Sequence, residues 1–255
     1  MGELRYGICR SLRRVTRRLP TLYGFNAYLR LQRRCPADDE YCVTDVDGTI
    51  TMFLRPYEFV DFALFYQAHL YERAEQRVLW SQLRKGLTFI DVGAHIGFYT
   101  LLAAKRVGPE GRVFAFEPDP DTCSRLVRNV MANAELAPQI RVFEAAASDR
   151  EGVAHLYRSS PGNMGGNTLA DVGEAPAAAV ATMTLDRVFA DESIDPGRAV
   201  VKIDVEGHEL NALRGFHATL AGTVKPILLV EAADQHLRRA GASSRQLVGE
   251  LESLG

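Results

Sequence analysis

The residues best suited to do chemistry fall into three short groups. The first, Asp91-Val-Gly93-Ala94-His-Ile-Gly97, follows a short apolar run and opens a helical pattern. Glycines where a strand turns into a helix let backbone approach a ligand closely, and the helix N-terminus adds partial positive charge. The dinucleotide fingerprint G-x-G-x-x-G fails here, because His95 stands where its second glycine belongs. A D-x-G-x-x-x-G turn suits a ligand carrying an amino-acid zwitterion, with Asp91 orienting polar atoms beneath it and Gly93 leaving room for the amino-acid part. The second group is Glu117, 24 residues after Gly93 and at the end of the next strand pattern. An acid there can accept both hydroxyls of a ribose. Either signal alone is weak. Together, in a strand–helix–strand context, they predict a nucleoside-bearing cofactor.

The third group is Lys202-Ile-Asp204-Val-Glu206-Gly-His208-Glu209, closing one strand pattern and opening a helix. Crowded ionisable groups at such a turn are costly unless they serve a site, since like charges raise each other's pKa. Ligands of open α/β sheets lie at the carboxyl ends of strands, so these side chains are expected at the reactive end of the cofactor. For a weakly acidic hydroxyl acceptor, His208 is the first candidate for general base and Glu206 the second. The plainer reading makes Glu209 a first-turn helix acid and His208 a surface residue. An Asp/Glu/His cluster could also hold a divalent metal beside the acceptor, but a second carboxylate cluster of suitable spacing is lacking, so no metal site is assigned. Glu231, ending a later strand, either faces the same crevice or is an ordinary strand-end acid.

The elements that must position these groups alternate regularly. Strand patterns at 87–92, 112–117, 140–146, 199–204 and 226–231 are separated by helical patterns at 97–107, 120–131 and 209–220, with a last helix capped by Ser243 or Ser244. In the second helix Cys123, Leu126, Val127, Val130 and Met131 fall on one face. Such alternation implies βαβ crossovers and a doubly wound, mostly parallel α/β sheet. Between 148 and 196 the rhythm breaks into short strands at 153–157 and 179–184 around a glycine-rich loop at 161–173, an insertion rising over the sheet. Ahead of the sheet, 57–85 reads as helical, with Phe62, Phe65, Tyr66, Leu70, Val78 and Leu83 on an apolar face, and residues 41–54 alternate across Asp47-Gly48 as a β-hairpin. The domain reading is a basic leader (1–36), a hairpin and helical cap (37–86) and the sheet domain (87–255).

Composition bounds the rest. With 255 residues the chain can bury one substantial core, and 47% hydrophobic with 24% charged residues is ordinary for a globular protein. The net charge is −2, but residues 1–34 carry nine arginines against Glu3, or +8, leaving about −10 for the remainder. A solvated arm is the plain reading of that leader, with peripheral contact to an anionic membrane surface next; nucleic acid is not expected as a partner. The four cysteines show neither CxxC nor zinc spacing, and no apolar run is long enough to span a bilayer, so a cytoplasmic protein is expected.

The strings FIDVGAHIGFYTLLAA (89–104), VFAFEP (113–118) and VKIDVEGHEL (201–210), with TLDRVF (184–189) and LLVE (228–231), resemble the FkbM-type methyltransferases over roughly 71–231. The resemblance implies a class I, Rossmann-like methyltransferase fold, S-adenosylmethionine as donor, and an oxygen acceptor on a sugar, polyketide or other secondary metabolite. Carried over by position, Asp91, Gly93, Ala94, Gly97, Glu117 and Pro118 would bind the cofactor and Ala147, Ser148 and Asp149 would border its adenine. Asp204 would serve cofactor and catalysis, and Glu206 and His208 would lie nearest the acceptor. His95 stands where the family often has Asn. Class I sheets normally finish with a β-hairpin, and the sequence given stops straight after the helix that would lead into it, so the expectation is either a fragment or a sheet edge that a partner or second copy covers.

Two rival readings compete with this one. Asp45-Val-Asp47-Gly-Thr49 mimics a phosphatase D-x-D-G-T nucleophile motif, which needs a strand before it and a helix after it; a strand pattern follows instead, favouring the hairpin. The other is a truncated, non-catalytic S-adenosylmethionine-binding or scaffold protein, which intact Asp91, Glu117 and Asp204 argue against and the missing hairpin argues for.

Overall fold

The computed structural model of the chain describes Arg13 and residues 39–254, except 160–162 and 172–174. The predicted leader therefore lies outside the described residues apart from Arg13. Two compact units result, Met1–Val78 with Ser160–Gly165, and Leu79–Ser159 with Gly166–Gly255.

In the first unit β1 (Tyr41–Val46) and β2 (Ile50–Leu54) form the expected antiparallel hairpin. Asp47 and Gly48 supply the two left-handed residues (φ 49 and 77) that a tight hairpin turn needs. Val43, Val46, Ile50, Met52 and Leu54 are buried on its inner face. Helix α1 (Phe59–Gln67) adds a ring cluster, Phe62–Tyr66 at 4.7 Å, Phe65–Tyr66 at 4.8 Å and Tyr41–Phe65 at 5.5 Å. Arg13 pairs with Asp45 at 2.6 Å and donates from Nε to the carbonyl of Phe65 at 2.7 Å. The single helical pattern read at 57–85 is in fact broken. A 3-10 turn at Ala68–Leu70 and Glu72 at φ 42 precede α2 (Arg73–Gln82). That break resets the helical phase, so Val78 is exposed and Leu79 is buried in its stead.

The second unit is built on a five-stranded, all-parallel sheet. Its strands are β3 (Thr88–Val92), β4 (Arg112–Phe116), β5 (Ile140–Phe143), β9 (Ala199–Ile203) and β10 (Ile227–Val230), in the order β10-β9-β3-β4-β5. The chain enters at the middle strand, moves outward through α3 (Phe98–Val107) and α4 (Pro120–Met131), then returns to β9 and moves outward the other way. Right-handed crossovers then put the two sets of helices on opposite faces, the doubly wound arrangement expected from the alternation. Strands β3 and β9 are buried throughout, as an inner pair covered on both faces requires. In α4 Cys123, Leu126 and Val130 face inward, while Val127 and Met131 are exposed.

The strand expected at 140–146 divides. Beyond Phe143, whose carbonyl accepts from the Glu117 N–H at 3.1 Å, the sheet has no further partner for it. The chain turns away, and β6 (Ala146–Ala147) joins β7 (Gly152–Leu156) and β8 (Ala178–Met183) in a second sheet of order β6-β8-β7. Helices α5 (Leu185–Asp191), α6 (Glu209–Arg214) and α7 (His217–Leu220) bury Leu185, Val188, Phe189, Leu213 and Leu220 in the main core, joined by Phe216 from the link between α6 and α7. Helices α8 (Asp234–Arg239) and α9 (Ser244–Ser253) close the unit with Leu237 and Leu247. Among the described residues β10 is paired on one side only, and Ile227 is exposed on it. No described helix is long and apolar enough to cross a membrane.

Gly215 shows how tightly the second sheet is held. A Cβ there would overlap the carbonyl oxygen of Ser148, so the end of α6 rests directly on the chain leaving β6. Gly249 is exposed in α9, and a Cβ added to it would meet nothing within 4 Å. Gly215→Ala is expected to lower the unfolding free energy by about 1–3 kcal/mol, and Gly249→Ala to raise it by about 0.5–1 kcal/mol. Urea denaturation of both variants checks the pair of signs.

Candidate active site

Strands β3 and β9 are neighbours from which the chain departs in opposite directions, and the crevice at such a switch point is where doubly wound sheets bind ligands. Both lead straight into the motif turns. After β3, the N–H groups of Gly93 and Ala94 donate to the carbonyl of Phe116 at 3.0 and 2.9 Å, fastening the turn to the end of β4. Gly93 has φ 85, and a Cβ on it would overlap the Asp204 carbonyl oxygen. The need for glycine here therefore comes first from the crossing of two backbones, whereas the motif by itself points to room for a ligand. His95 also takes a left-handed conformation (φ 50), one that Asn, Asp and His tolerate better than other side chains. Its N–H donates to Glu117 Oε2 at 2.9 Å.

Glu117 is thus in the same place as the turn. Its Oε1 accepts from the Asp119 N–H at 3.0 Å, so each oxygen holds one backbone donor and keeps lone-pair capacity for another. Burial pushes the Glu117 carboxyl up to about 8; the two N–H donors pull the other way without offsetting it. Asp91 is fully buried and accepts from Thr100 Oγ1 at 2.6 Å, while its Oδ1 has no hydrogen-bond partner. Burial raises its pKa against the opposing charge of Lys202. His95 is driven down to about 3, first by burial and then by Arg125, so its ring is neutral.

Across the crevice, Lys202 is buried on β9 with Nζ 2.7 Å from Asp204 Oδ2 and 4.9 Å from the Tyr99 ring centroid. Burial is the largest influence and would raise the Asp204 carboxyl, but Lys202, a hydrogen bond with Glu231 and the nearby His236 together hold it below the ordinary value. The following turn places Glu206 at φ 52 and Gly207 at φ 106, where a Cβ would run into the His236 carbonyl oxygen. Glu209 Oε1 accepts from the N–H groups of Val205 and Gly207, both at 3.1 Å, so this acid shapes the turn. Burial lifts the Glu206 carboxyl to about 7, with Asp204 and Glu209 adding to the effect. Glu231 is raised by burial and by Asp204.

The predicted residues do not all converge. Asp91, Gly93, Ala94, Gly97 and Glu117 share one pole with Pro118, and Asp204 and Glu206 lie across from them. Ala147 and Ser148 are buried and Asp149 exposed on the chain leaving β6. His208 turns toward that segment. Its Nε2 is 3.0 Å from Ser148 Oγ and its Nδ1 3.2 Å from Asn211 Nδ2, and burial lowers its pKa to about 4. With Nδ1 facing an amide donor, Nε2 carries the proton toward Ser148, which leaves neither nitrogen open to take another.

The family described as Methyltransferase FkbM domain matches residues 91–255, well over half of the chain. The chain belongs to the FkbM methyltransferase family. Hexuronic acid methyltransferase AglP of Haloferax volcanii is 32% identical over 152 residues, covering 58% of this chain and 53% of that protein. The match thus spans about half the length of that relative. Among solved structures, Methyltransferase FkbM from Methylobacillus flagellatus KT aligns over 89% of this chain and 51% of its own, at 16% identity and a TM-score of 0.45. A SAM dependent methyltransferase from Aquifex aeolicus aligns over 71% and 78%, at 18% identity and a TM-score of 0.41.

Several residues around these turns were not legible in the motifs. His236 of α8 lies 2.6 Å from Glu206, yet nothing in its local sequence marks it. Buried Asp119, two residues past Glu117, accepts from Thr122 Oγ1 at 3.1 Å, Arg158 at 2.8 Å and Asn167 at 2.9 Å. Thr168, bridged to Tyr157, donates to the Glu206 carbonyl at 2.8 Å. A cap residue directly after a ribose-type acid was the signal available for Asp119; the others needed the fold.

The Glu117 shift has a measurable sign. Its folded pKa of about 8 exceeds the ordinary 4.5, so its contribution to stability is fully present below pH 4.5 and is lost as pH rises through 8. His95 and His208, lowered to about 3 and about 4, are neutral in both folded and unfolded chains above their ordinary 6.5 and add no slope there. Between pH 6.5 and 8 Glu117→Gln should therefore flatten the fall in stability, by at most about 2 kcal/mol across that range. Thermal melts of both proteins at four pH values test it.

Proposed function

We propose that this chain transfers the methyl group of S-adenosylmethionine to a hydroxyl oxygen of a sugar, with a hexuronic acid unit as the first acceptor to try. The observation that carries the reading is the Glu117 carboxylate bonded to the backbone of the Asp91–Gly97 turn, beside the switch point. In this reading Asp91, Gly93, Ala94 and Gly97 hold the methionyl part and Glu117 with Pro118 the ribose. Ala147, Ser148 and Asp149 border the adenine. Asp204, kept ionised by Lys202, faces the methionyl ammonium and the reacting centre. The sugar acceptor is supported by the name of the Haloferax relative.

Methyl transfer is an in-line displacement at carbon, so the residues mainly align acceptor oxygen and sulfonium. The hydroxyl proton must also leave. Glu206 is the better placed of the two candidates, because His208 is engaged with Ser148 and Asn211. His208 becomes a positioning residue that holds the adenine-side segment against α6. A scaffold without activity would have no use for the buried Lys202–Asp204 pair beside an ionisable Glu206.

S-Adenosylhomocysteine should raise the melting temperature, by the equivalent of about 2.7 kcal/mol at a hundredfold excess over Kd, and NAD should not. Glu117→Ala is expected to abolish that shift. Glu206→Gln should keep it while lowering kcat on a labelled-methyl assay with uronic-acid glycans by roughly 10²–10⁴-fold. Stabilisation by NAD in place of S-adenosylhomocysteine would overturn the reading.

A further inference from the structure

A second convergence lies at the same end of the sheet, beyond the Lys202–Asp204 pair. Glu206 comes from the turn after β9, Glu231 from the residue that follows β10, and His236 from α8. Each offers one ligand atom, and the three atoms lie within 4.8 Å of one another. His236 Nδ1 stands 2.6 Å from Glu206 Oε2 and 3.8 Å from Glu231 Oε2. His236 Nδ1 and Glu231 Oε2 are both sealed from solvent, and neither has a hydrogen-bond partner. The ring N–H is therefore not aligned along the short separation to Glu206. Two carboxyl oxygens and one imidazole nitrogen thus lie close enough together to hold one ion. Buried donors and acceptors are nearly always satisfied, and those left over call for an explanation such as an ion.

The fold builds this convergence through one close contact. Gly207 lacks the Cβ that would strike the His236 carbonyl, so α8 can lie against the turn and bring the imidazole to Glu206. Of the cations that act on Glu206, the buried Lys202 is paired with Asp204 at 2.7 Å and Arg239 remains.

We propose that Glu206, Glu231 and His236 form a binding site for one divalent cation that also takes the acceptor oxygen, an inference that rests on the methyl-transfer reading above. Two carboxylate oxygens and one imidazole nitrogen suit Mn2+, Zn2+ or Fe2+ better than Ca2+, which favours an all-oxygen shell. Three protein ligands leave open positions, and a hydroxyl beside a carboxylate, as in a uronic acid, can fill two of them as a chelate. The ion makes the bound hydroxyl more acidic. The proton passes to solvent, the oxygen lone pair forms the new O–CH3 bond, and the C–S bond electrons return to sulfur as S-adenosylhomocysteine leaves. Glu206 then acts on the hydroxyl proton through the ion it holds.

The test is equilibrium dialysis of the intact chain against Mn2+, with electron paramagnetic resonance of the bound ion. One Mn2+ per chain is expected, with affinity falling about tenfold or more in Glu231→Gln and in His236→Asn, while both variants keep the S-adenosylhomocysteine thermal shift that reports an intact fold. Absence of binding at millimolar Mn2+ and Zn2+, or undiminished binding by the double variant, overturns the metal site. If S-adenosylhomocysteine still binds in that case, the methyltransferase reading survives with Glu206 as a free base. If the ion binds but S-adenosylhomocysteine does not, the cation site stands and the methyl-donor reading falls.

Discussion

The crossing of two backbones at Gly93 and Asp204 sets the geometry on which everything else in the second unit depends. The turn leaving β3 presses its Gly93 Cα against the carbonyl of Asp204, at the end of the neighbouring strand, with no space for even a methyl group. Hydrogen bonds from the same turn to Phe116 and to Glu117 tie it to β4 on the other side. Three strand ends are thereby locked in one register. The carboxylates at those ends cannot drift apart, because a packed interior does not deform continuously. The three strand ends thus form a rigid floor at this end of the sheet.

Charge explains the next level. Asp91, Glu117, Asp204, Glu206, Glu209 and Glu231 crowd the carboxyl end of the sheet, and burial works against ionising all of them together. The molecule resolves this unevenly. Asp204 receives Lys202, Glu209 is spent on two backbone N–H groups, and Glu117 receives two more. Asp91 has a hydroxyl donor on one oxygen only. Glu206 and Glu231 are left facing one another across His236, with raised pKa values. The two poles therefore differ in kind. One receives fixed amide dipoles and suits a neutral diol; the other gathers two carboxyls about one imidazole.

Much of the sheet was readable from the chain alone because β3 and β9 are buried on both faces, and such strands must be short, continuous apolar runs ending in glycine-bearing turns. The hairpin was readable because Asp47-Gly48 permits two left-handed residues in succession. What escaped had long-range causes. The split of the third strand depends on where β4 stops, and the outward turn of Val78 on the interruption near Glu72. His208 sits in the most acidic motif of the chain, so sequence put it at the acceptor. Its actual direction is set by Ser148, sixty positions away and invisible to any local pattern. His236 escaped for the converse reason, since it reaches Glu206 only through the close seating of α8 on Gly207.

The short stretches around Tyr157 and Thr168, bridged to each other, are fastened at both poles. Arg158 and Asn167 hold them to Asp119 beside Glu117, and Thr168 holds them to the Glu206 carbonyl. They work like a bridge with an abutment on each bank. Any rearrangement of the span must break the contacts at one footing or the other. The Asp119 footing, with its buried carboxylate and charged partner, is the firmer. The span is thus anchored unequally, one footing electrostatic and the other a single hydroxyl.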